Sequence, residues 1–314
     1  MKTFVVANPK AAGGKVAKRW AELYLSISSS LGNTTLRFTG HQGHATQLVR
    51  EALHDGYERI AVVGGDGSIN DGVNGFFEES GEQINPEAVL SIIPAGTGGD
   101  FSRSIGMSDI RPEQALRSAS IKTIDIGRMQ LSDGRGGQVN RHFINIASFG
   151  STAAIMDKIN AAPKILPGKG TYFWGAVKGL LTYQNKRIRL RVDDVYDEEV
   201  RVNSVAVANG RYFGGSMKIA PEARLSDGLF DVVVVGDVNL GEFLKNNRRI
   251  YAGTHLGLEP FTFVRGREVI AEPVDYEPIL LEADGERPGQ LPARLDVVPD
   301  CIRLWAPWDR AEAA

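Results

Sequence analysis

Cysteine is nearly absent from this sequence, because Cys301 is the one cysteine among 314 residues. This excludes an internal disulfide framework and any zinc site that is built from cysteines. No run of apolar residues approaches the ~18 that a transmembrane helix needs. The N-terminal stretch MKTFVVANPK reaches Asn-Pro too soon to contain the apolar region of a signal peptide. These absences predict a soluble, reduced, cytoplasmic protein.

An excess of charge of one sign is also absent, since 36 Lys and Arg residues face 38 Asp and Glu residues. This balance argues against a global nucleic-acid binder, so we expect no nucleic-acid partner. Glycine, in contrast, is in mild excess: 36 residues are roughly 11% of the chain against a usual value of about 7%. The excess indicates many tight turns or close approaches of the backbone to a ligand. The length favours two domains.

The first 128 residues alternate between strand-like and helix-like patterns. This alternation predicts an α/β domain with a mostly parallel sheet, whose ligands bind at the carboxyl ends of the strands. The predicted strands are Lys2–Ala7, Thr34–Phe38, Arg59–Val63 and Val89–Ile93, and the predicted helices are Val16–Leu31, Ala45–His54, Ser68–Phe77 and Pro112–Ser118.

Residues 129–314 instead show short β-rich segments separated by turns, which predict an antiparallel sandwich or barrel. A C-terminal tail that packs back on the first domain is compatible with this pattern. The predicted strands are His142–Ala147, Ile188–Val192, Val202–Ala208, Phe230–Val235, Phe261–Arg265, Val269–Glu272, Ile279–Glu282 and Arg303–Ala306. A helical insertion over Ala153–Tyr183 and a helix over Leu240–Tyr251 interrupt them, and Lys122–Leu131 is a candidate crossing strand.

Three strands of the first domain end in glycine-rich turns, which read NPKAAGGK from Asn8, GGDGSIND from Gly64 and PAGTGGDF from Pro94. Glycines let the backbone approach an anion, and helix N-termini favour negative charge. An aspartate among such glycines would repel phosphate unless it serves a cation, so Asp66 and Asp100 are candidate partners of Mg²⁺. The chain has no G-x-x-x-x-G-K-[ST] motif, which excludes a P-loop protein.

These loops, followed by APEARLSDGLFDV and LEADGE, resemble the diacylglycerol kinase catalytic-domain family, which includes bacterial lipid kinases and the sphingosine kinases. The resemblance implies an α/β nucleotide-binding domain like that of NAD kinases and phosphofructokinases, followed by a β-sandwich. It also implies ATP- and Mg²⁺-dependent transfer of phosphate to the hydroxyl of a membrane lipid such as diacylglycerol.

The family pattern suggests roles for individual residues. The expected ATP-binding residues are Asn8, Thr39, Gly64, Gly65, Asp66, Gly67, Ser68, Asn70, Gly96, Thr97 and Arg103. The expected catalytic residues are Glu286, Asp284 and Asp66, with Glu286 preferred as the base. The expected metal ligands are Asp100, Asp227 and the backbone carbonyls of Arg224 and Leu229.

Three positions depart from the family pattern. The usual GGDGT is GGDGS here, which keeps a hydroxyl, and the usual Asn-Glu that follows is Asn70-Asp71, which keeps the charge. The usual GTGND has glycine at its fourth position, Gly99, so the asparagine amide is lost.

The acidic segment Glu282, Asp284 and Glu286 surrounds Gly285 and has two interpretations. It could supply a general base for the acceptor hydroxyl. It could equally be an acidic hairpin turn, since Asp-Gly is a common hairpin signal. The sequence leaves both open.

The segment Lys158–Arg191 contains eight basic residues and no Asp or Glu, with aromatic and aliphatic residues between them. This pattern predicts contact with an anionic membrane, which would make the protein peripheral at the inner membrane face. An ordinary helix that packs on the β domain would give the same pattern.

Two other functions remain open at this point. One is an NAD kinase-like phosphotransferase, which shares the GGDG loop, and the other is a non-catalytic nucleotide- or lipid-binding regulator. The oligomeric state is also open, with a homodimer among the options.

Overall fold

The computed structural model describes residues 1–95, 99–108, 110, 114–115, 118–153 and 183–312. The chain divides into two compact units. Unit 1 comprises Met1–Asp125 and Asp300–Ala314, and unit 2 comprises Ile126–Pro299. The predicted boundary at 128/129 therefore differs by three residues, and the last fifteen residues return to unit 1.

Unit 1 contains a parallel sheet in the strand order β2-β1-β3-β4-β15. Its strands are β1 (Thr3–Ala7), β2 (Thr34–Phe38), β3 (Arg59–Gly64), β4 (Val89–Pro94) and the end of β15 (Glu286–Ala306). The central strands are continuous apolar runs because helices cover a parallel sheet on both faces. The predicted α/β class and the four predicted strands are confirmed.

The helices of unit 1 follow its strands. They are α1 (Ala11–Lys18), α2 (Trp20–Leu31), α3 (His44–His54), α4 (Asp66–Asn74), α5 (Asp100–Ser104) and α7 (Trp308–Glu312). The single helix predicted over Val16–Leu31 is wrong, because the chain breaks at Arg19 between α1 and α2. Most of the predicted helix Pro112–Ser118 lies outside the described residues.

Unit 2 is an antiparallel β structure in which β15 belongs to two strand layers. One layer has the order β12-β11-β10-β7-β14-β15, and the other joins β15 to β13-β8-β9 and to β5-β6. The additional strands are β5 (Ser120–Ser132), β6 (Gln138–Phe143), β7 (Ile146–Gly150), β8 (Lys186–Val192), β9 (Tyr196–Val202), β10 (Ser204–Ala208), β11 (Phe230–Val235), β12 (Phe261–Gly266), β13 (Glu268–Pro273) and β14 (Leu280–Ala283); the helix α6 covers Leu240–Ala252. Buried residues from both layers form one apolar core, so the predicted sandwich is confirmed.

Two strand predictions in this unit are wrong in detail, and one strand was missed. His142–Ala147 is not one strand, because β6 and β7 are separated by a turn whose N–H groups bind the Asp284 carboxylate. Val202–Ala208 divides at Asn203 into the ends of β9 and β10. The acid-rich strand β9 was not predicted, since Asp and Glu disfavour strands, but it is an edge strand whose acids pair with arginines of β8.

Candidate functional site

The carboxyl ends of the unit 1 strands form one edge of the sheet. The register pairs Ala7 with both Phe38 and Val63, and Gly64 with Pro94. Asn8, Thr39, Gly65 and Ala95 follow these strand ends, so the structure brings the three glycine-rich turns and the loop of Thr39 to the same edge. In the order β2-β1-β3-β4 the switch point lies between β1 and β3, and such a point is where open α/β sheets bind ligands.

Hydrogen bonds join the first and second of the glycine-rich turns. The Asn8 side-chain amide donates to the Ser68 hydroxyl at 3.1 Å, and the Asn8 backbone N–H donates to the Val63 carbonyl at 3.0 Å. Gly64 makes this packing possible, because a Cβ there would lie 2.4 Å from the Ser68 Cβ. The two turns therefore form one preorganised surface.

Asp66 joins the second turn to the third. Its Oδ2 accepts the backbone N–H groups of Gly99 at 3.1 Å and Asp100 at 3.2 Å, and its Oδ1 accepts the Phe101 N–H at 3.2 Å. Burial raises the pKa of the Asp66 carboxyl, and these N–H donors oppose the rise. Because three backbone donors bind its two oxygens, the carboxylate serves first to hold the start of α5.

The glycine at position 99 has a structural explanation. Gly99 has φ +68°, in the left-handed region, and lies at the start of α5. Glycine and asparagine are both tolerated there, and the contact to Asp66 uses the backbone N–H of residue 99. The departure from the family's asparagine therefore keeps both the backbone conformation and the link between the turns.

The other residues predicted to bind ATP have varied surroundings. Asn70 is buried on α4 and accepts a hydrogen bond from the Asn74 amide at 3.1 Å, and Arg103 lies on α5. Gly96 and Thr97 lie outside the described residues, so their predicted contacts with ATP remain predictions.

In unit 2, the acidic segment forms a tight hairpin between β14 and β15. Ala283 pairs with Glu286, and the two residues between them have positive φ, 51° at Asp284 and 89° at Gly285. Positive φ at both central residues defines a type I′ turn, for which Asp-Gly is a preferred sequence. The hairpin interpretation is confirmed at the level of backbone structure.

The three carboxylates of this hairpin have different surroundings. Asp284 is buried and accepts the N–H groups of Ile144, Asn145 and Ile146 at 2.8, 3.1 and 3.0 Å. Glu282 is also buried, and it accepts the Ser148 hydroxyl at 2.8 Å and the Gly285 N–H at 2.6 Å.

Glu286, in contrast, is half-buried and so retains access to solvent. The register pairs it with Ala283, the residue after Glu282, which places the two glutamates on opposite faces of the hairpin. The segment therefore offers one accessible carboxylate and two that support the backbone.

The predicted metal ligand Asp227 forms an ion pair with an arginine side chain, that of Arg265. Its Oδ2 accepts a hydrogen bond from the Arg265 guanidinium at 2.7 Å, and its Oδ1 accepts the Leu229 N–H at 3.2 Å. Arg265 also donates to Asp231 at 2.7 Å, directly across the β11–β12 pair. Burial raises the pKa of Asp231, whereas Arg265 opposes the rise. Among the described residues, no three His, Cys, Asp or Glu side chains are grouped to hold a metal ion.

The predicted membrane segment Lys158–Arg191 is described only from residue 183 onward. There the basic side chains of β8 alternate outward, and acidic residues of neighbouring elements meet them. Arg189 pairs with Asp197 at 3.0 Å and Arg187 with Glu199 at 3.5 Å. These pairs, formed by cross-strand neighbours that are distant in sequence, reduce the net positive charge of this part of the segment. The contact with an anionic membrane stays a prediction.

Sequence reasoning missed two contacts around the site. It did not single out Arg265, whose partners lie 34 and 38 positions away along the chain. It also missed Asp71 as a support for the loop after β2, where Asp71 accepts the Gly43 N–H at 3.0 Å. No motif marks such partners, although β11 and β12 were both predicted as strands.

Known proteins resemble this chain along its whole length. Residues 2–129 match the diacylglycerol kinase catalytic domain, and residues 145–306 match the YegS C-terminal NAD kinase beta sandwich-like domain. The diacylglycerol kinase of Bacillus subtilis strain 168 is 27% identical over 98% of this chain and 97% of its own. That of Staphylococcus carnosus strain TM300 is 26% identical over 97% and 95%.

Solved structures share the fold. Two chains from Bacillus anthracis strain Sterne, the second described as a diacylglycerol kinase, superpose with TM-scores of 0.74 and 0.68 at 23% and 20% identity, each over 96% of both chains. With the sheet edge of unit 1 and the sandwich of unit 2, these matches establish that the chain belongs to the diacylglycerol kinase family of ATP-dependent lipid kinases.

Proposed function

We propose that this kinase transfers the γ-phosphate of ATP to the free hydroxyl of diacylglycerol. The observation that carries the proposal is the match of both units, over 97% of the chain or more, to relatives named diacylglycerol kinase. In this reaction the acceptor oxygen bonds to the γ-phosphorus, the bond to the β-phosphate oxygen breaks, and ADP leaves. The hydroxyl proton passes to a base, and we assign that role to Glu286.

The test is incubation of the protein with ATP, Mg²⁺ and a panel of acceptors. The panel contains diacylglycerols, monoacylglycerols, ceramide, sphingoid bases and NAD. We expect labelled phosphate on diacylglycerol at the highest kcat/KM. A higher kcat/KM for NAD or for a sphingoid base would assign another acceptor, and no transfer to any of them would favour a binding protein without catalysis.

The residues that we propose for ATP binding lie in unit 1. We assign ATP binding to the turns at the carboxyl ends of the sheet, where glycine backbone and helix N-termini favour phosphate. The proposed contacts are Asn8, Thr39, Gly64, Gly65, Asp66, Gly67, Ser68, Asn70, Gly96, Thr97 and Arg103. Asp66 acts chiefly by fixing α5 against the second turn.

Mg²⁺ is the cation we propose for the nucleotide. Carboxylate and phosphate oxygens are the ligands that it prefers, so we propose Asp100 and the phosphates of ATP as its ligands. The oxygens of Asp66 accept three N–H groups, which is the basis for its positioning role. When bound, the ion would neutralise charge on the phosphates.

The side-chain cluster of Asp227, Asp231 and Arg265 in unit 2 does not fit a divalent cation. The Arg265 guanidinium already lies between the carboxylates of Asp227 and Asp231, and a second cation there would be repelled. We therefore infer that Arg265 supplies the positive charge that the resemblance assigned to a metal held by Asp227, Arg224 and Leu229.

Replacement of Arg265 by Met should lower the free energy of unfolding by about 2–3 kcal/mol. The substitution leaves the Asp231 carboxylate, whose side chain is 1% exposed, without its cation. The expected loss of stability is smaller than for a fully buried pair because the Arg265 side chain is 36% exposed. Arg189→Met, which breaks an exposed pair, is the matched control and should cost under about 1 kcal/mol. Thermal unfolding of the parent should be the same in EDTA and in Mg²⁺. The inference would be contradicted if EDTA lowered the stability of the parent and left that of an Asp227→Asn variant unchanged. A metal ion at Asp227 would then be the better assignment.

Contact with an anionic membrane is proposed for the part of Lys158–Arg191 that precedes β8. Replacement of Lys164, Lys169 and Lys178 by Gln should weaken binding to anionic vesicles and lower activity on vesicle-borne lipid. Activity on a dispersed short-chain lipid should be spared. Binding of the parent should fall as salt rises, since exposed charges are screened within about 10 Å at 0.1 M.

The structure supplies a control for this experiment. Arg187 and Arg189 are ion-paired on β8, so their replacement by Gln should leave vesicle binding unchanged. Equal losses on vesicle-borne and dispersed substrate would place the three lysines in the site or the fold instead. Among the described residues, no helix has both the length and the apolar character to cross a bilayer.

A further inference from the structure

Two histidine side chains are stacked just beyond the end of β2. The rings of His41 and His44 have centroids 4.7 Å apart and planes that differ by 11°. His41 lies in the loop Thr39–Gly43, which joins β2 to α3, and His44 is the first residue of α3. Such parallel stacking presents the outer ring as a flat, aromatic surface.

Hydrogen bonds hold the inner ring in place. The Gly40 N–H donates to Nδ1 of His44 at 2.9 Å, so the neutral imidazole carries its proton on Nε2. The loop itself is tied to α4, because the Gly43 N–H donates to Asp71 Oδ2 at 3.0 Å and the Thr46 hydroxyl donates to the Asp71 carbonyl at 2.7 Å. The stack is therefore preorganised before any ligand binds.

The outer ring, that of His41, has little to do with the stability of the fold. His41 is exposed. Of the described residues, Gln42 and His44 alone contact it through a hydrogen bond or a ring, and Nδ1 of His41 lies 2.9 Å from the Gln42 carbonyl. An exposed imidazole stacked on a fixed second ring leaves its outer face available to another flat group.

The position of the stack relates it to the nucleotide. The Thr39 N–H donates to the Ala7 carbonyl at 2.9 Å, so the loop after β2 lies beside the turn after β1. The phosphate-binding features lie after β1, β3 and β4. Open α/β sheets bind their ligands outside the carboxyl ends of the strands, at the switch point. With the phosphates on the turns after β1, β3 and β4, the loop after β2 is the adjoining flank of this edge, on the side of β1.

We propose that His41, supported by His44, is the platform on which the adenine base of ATP stacks. The inference rests on ATP as donor and does not depend on which lipid is the acceptor. Stacking on a flat ring is tolerant of base identity. His41 therefore distinguishes nucleotides from bare polyphosphate, and it contributes little to the choice between adenine and guanine.

The experiment compares His41→Ala and His41→Phe with the parent. Loss of one base–aromatic stack should raise the Kd and KM for ATP about tenfold and leave kcat within about twofold. His41→Phe keeps an aromatic face and should restore most of the affinity. Inorganic tripolyphosphate, which has no base, should inhibit parent and variants with the same Ki. His54→Ala, at the far end of α3, is the matched control and should behave as the parent.

Three outcomes would overturn the proposal. One is a Kd for ATP in His41→Ala within twofold of the parent. Another is an equal weakening of tripolyphosphate and ATP, which would place His41 at the phosphates. The last is a His41→Phe variant as weak as His41→Ala. Because Kd is measured by calorimetry without any lipid, a failure of diacylglycerol as acceptor would leave this test intact.

Discussion

Glu286→Gln should lower turnover by ~10²–10⁴-fold, which corresponds to about 3–5 kcal/mol of barrier, and should leave the affinity for ATP almost unchanged. The loss is large because the acceptor hydroxyl must give up its proton as its oxygen attacks phosphorus. ATP affinity is spared because the proposed nucleotide contacts all lie in unit 1, whereas Glu286 lies on β15 in unit 2. The measurement is kcat with diacylglycerol, together with the Kd for ATP.

Asp284→Asn separates the base from its neighbour. Asp284 holds three backbone N–H groups, and the amide nitrogen of asparagine cannot accept a hydrogen bond from them. We expect a loss of about 1–3 kcal/mol in the free energy of unfolding, and activity that recovers at low temperature. A larger, temperature-independent loss of turnover in Asp284→Asn than in Glu286→Gln would transfer the base role to Asp284. If both variants stayed within a few-fold of the parent, the hairpin would have no catalytic role.

Asp66→Asn should reduce turnover at least about a hundredfold. Its carboxylate accepts the N–H groups of Gly99, which precedes α5, and of Asp100 and Phe101, the first two residues of α5, at 3.1 to 3.2 Å. An asparagine amide directs N–H toward N–H at one of these positions, which should release the third turn and cost about 1–3 kcal/mol of stability. Asp55→Asn, an exposed carboxylate of the same unit, is the control and should change neither property.

The dependence on Mg²⁺ distinguishes the two roles considered for Asp66. A positioning residue leaves the half-saturating Mg²⁺ concentration of the variant equal to that of the parent, while kcat falls. A direct ligand raises that concentration, and excess Mg²⁺ then restores part of the activity. Near-parent turnover in a folded Asp66→Asn protein would contradict both roles.

The sequence by itself determined the two fold classes and most strands of unit 1. The reason is local: β1 and β3 are apolar, β-branched segments bounded by turn residues, and such runs are visible without any partner. The glycine-rich turns were likewise apparent, and so was the Asp284-Gly285 hairpin, because residues that adopt positive φ are few. Membership of the family followed from the order of these motifs.

The tertiary structure decided what the charged groups do. The sequence predicts catalytic roles for Asp66 and Asp284. In the fold, each of these carboxylates accepts three backbone N–H groups. Strand β8 contains arginines and no acidic residue, and the fold places acids of β9 opposite them. The role of a carboxylate or a guanidinium depends on partners that are distant in the chain, and only strand register and burial bring those partners within hydrogen-bonding distance.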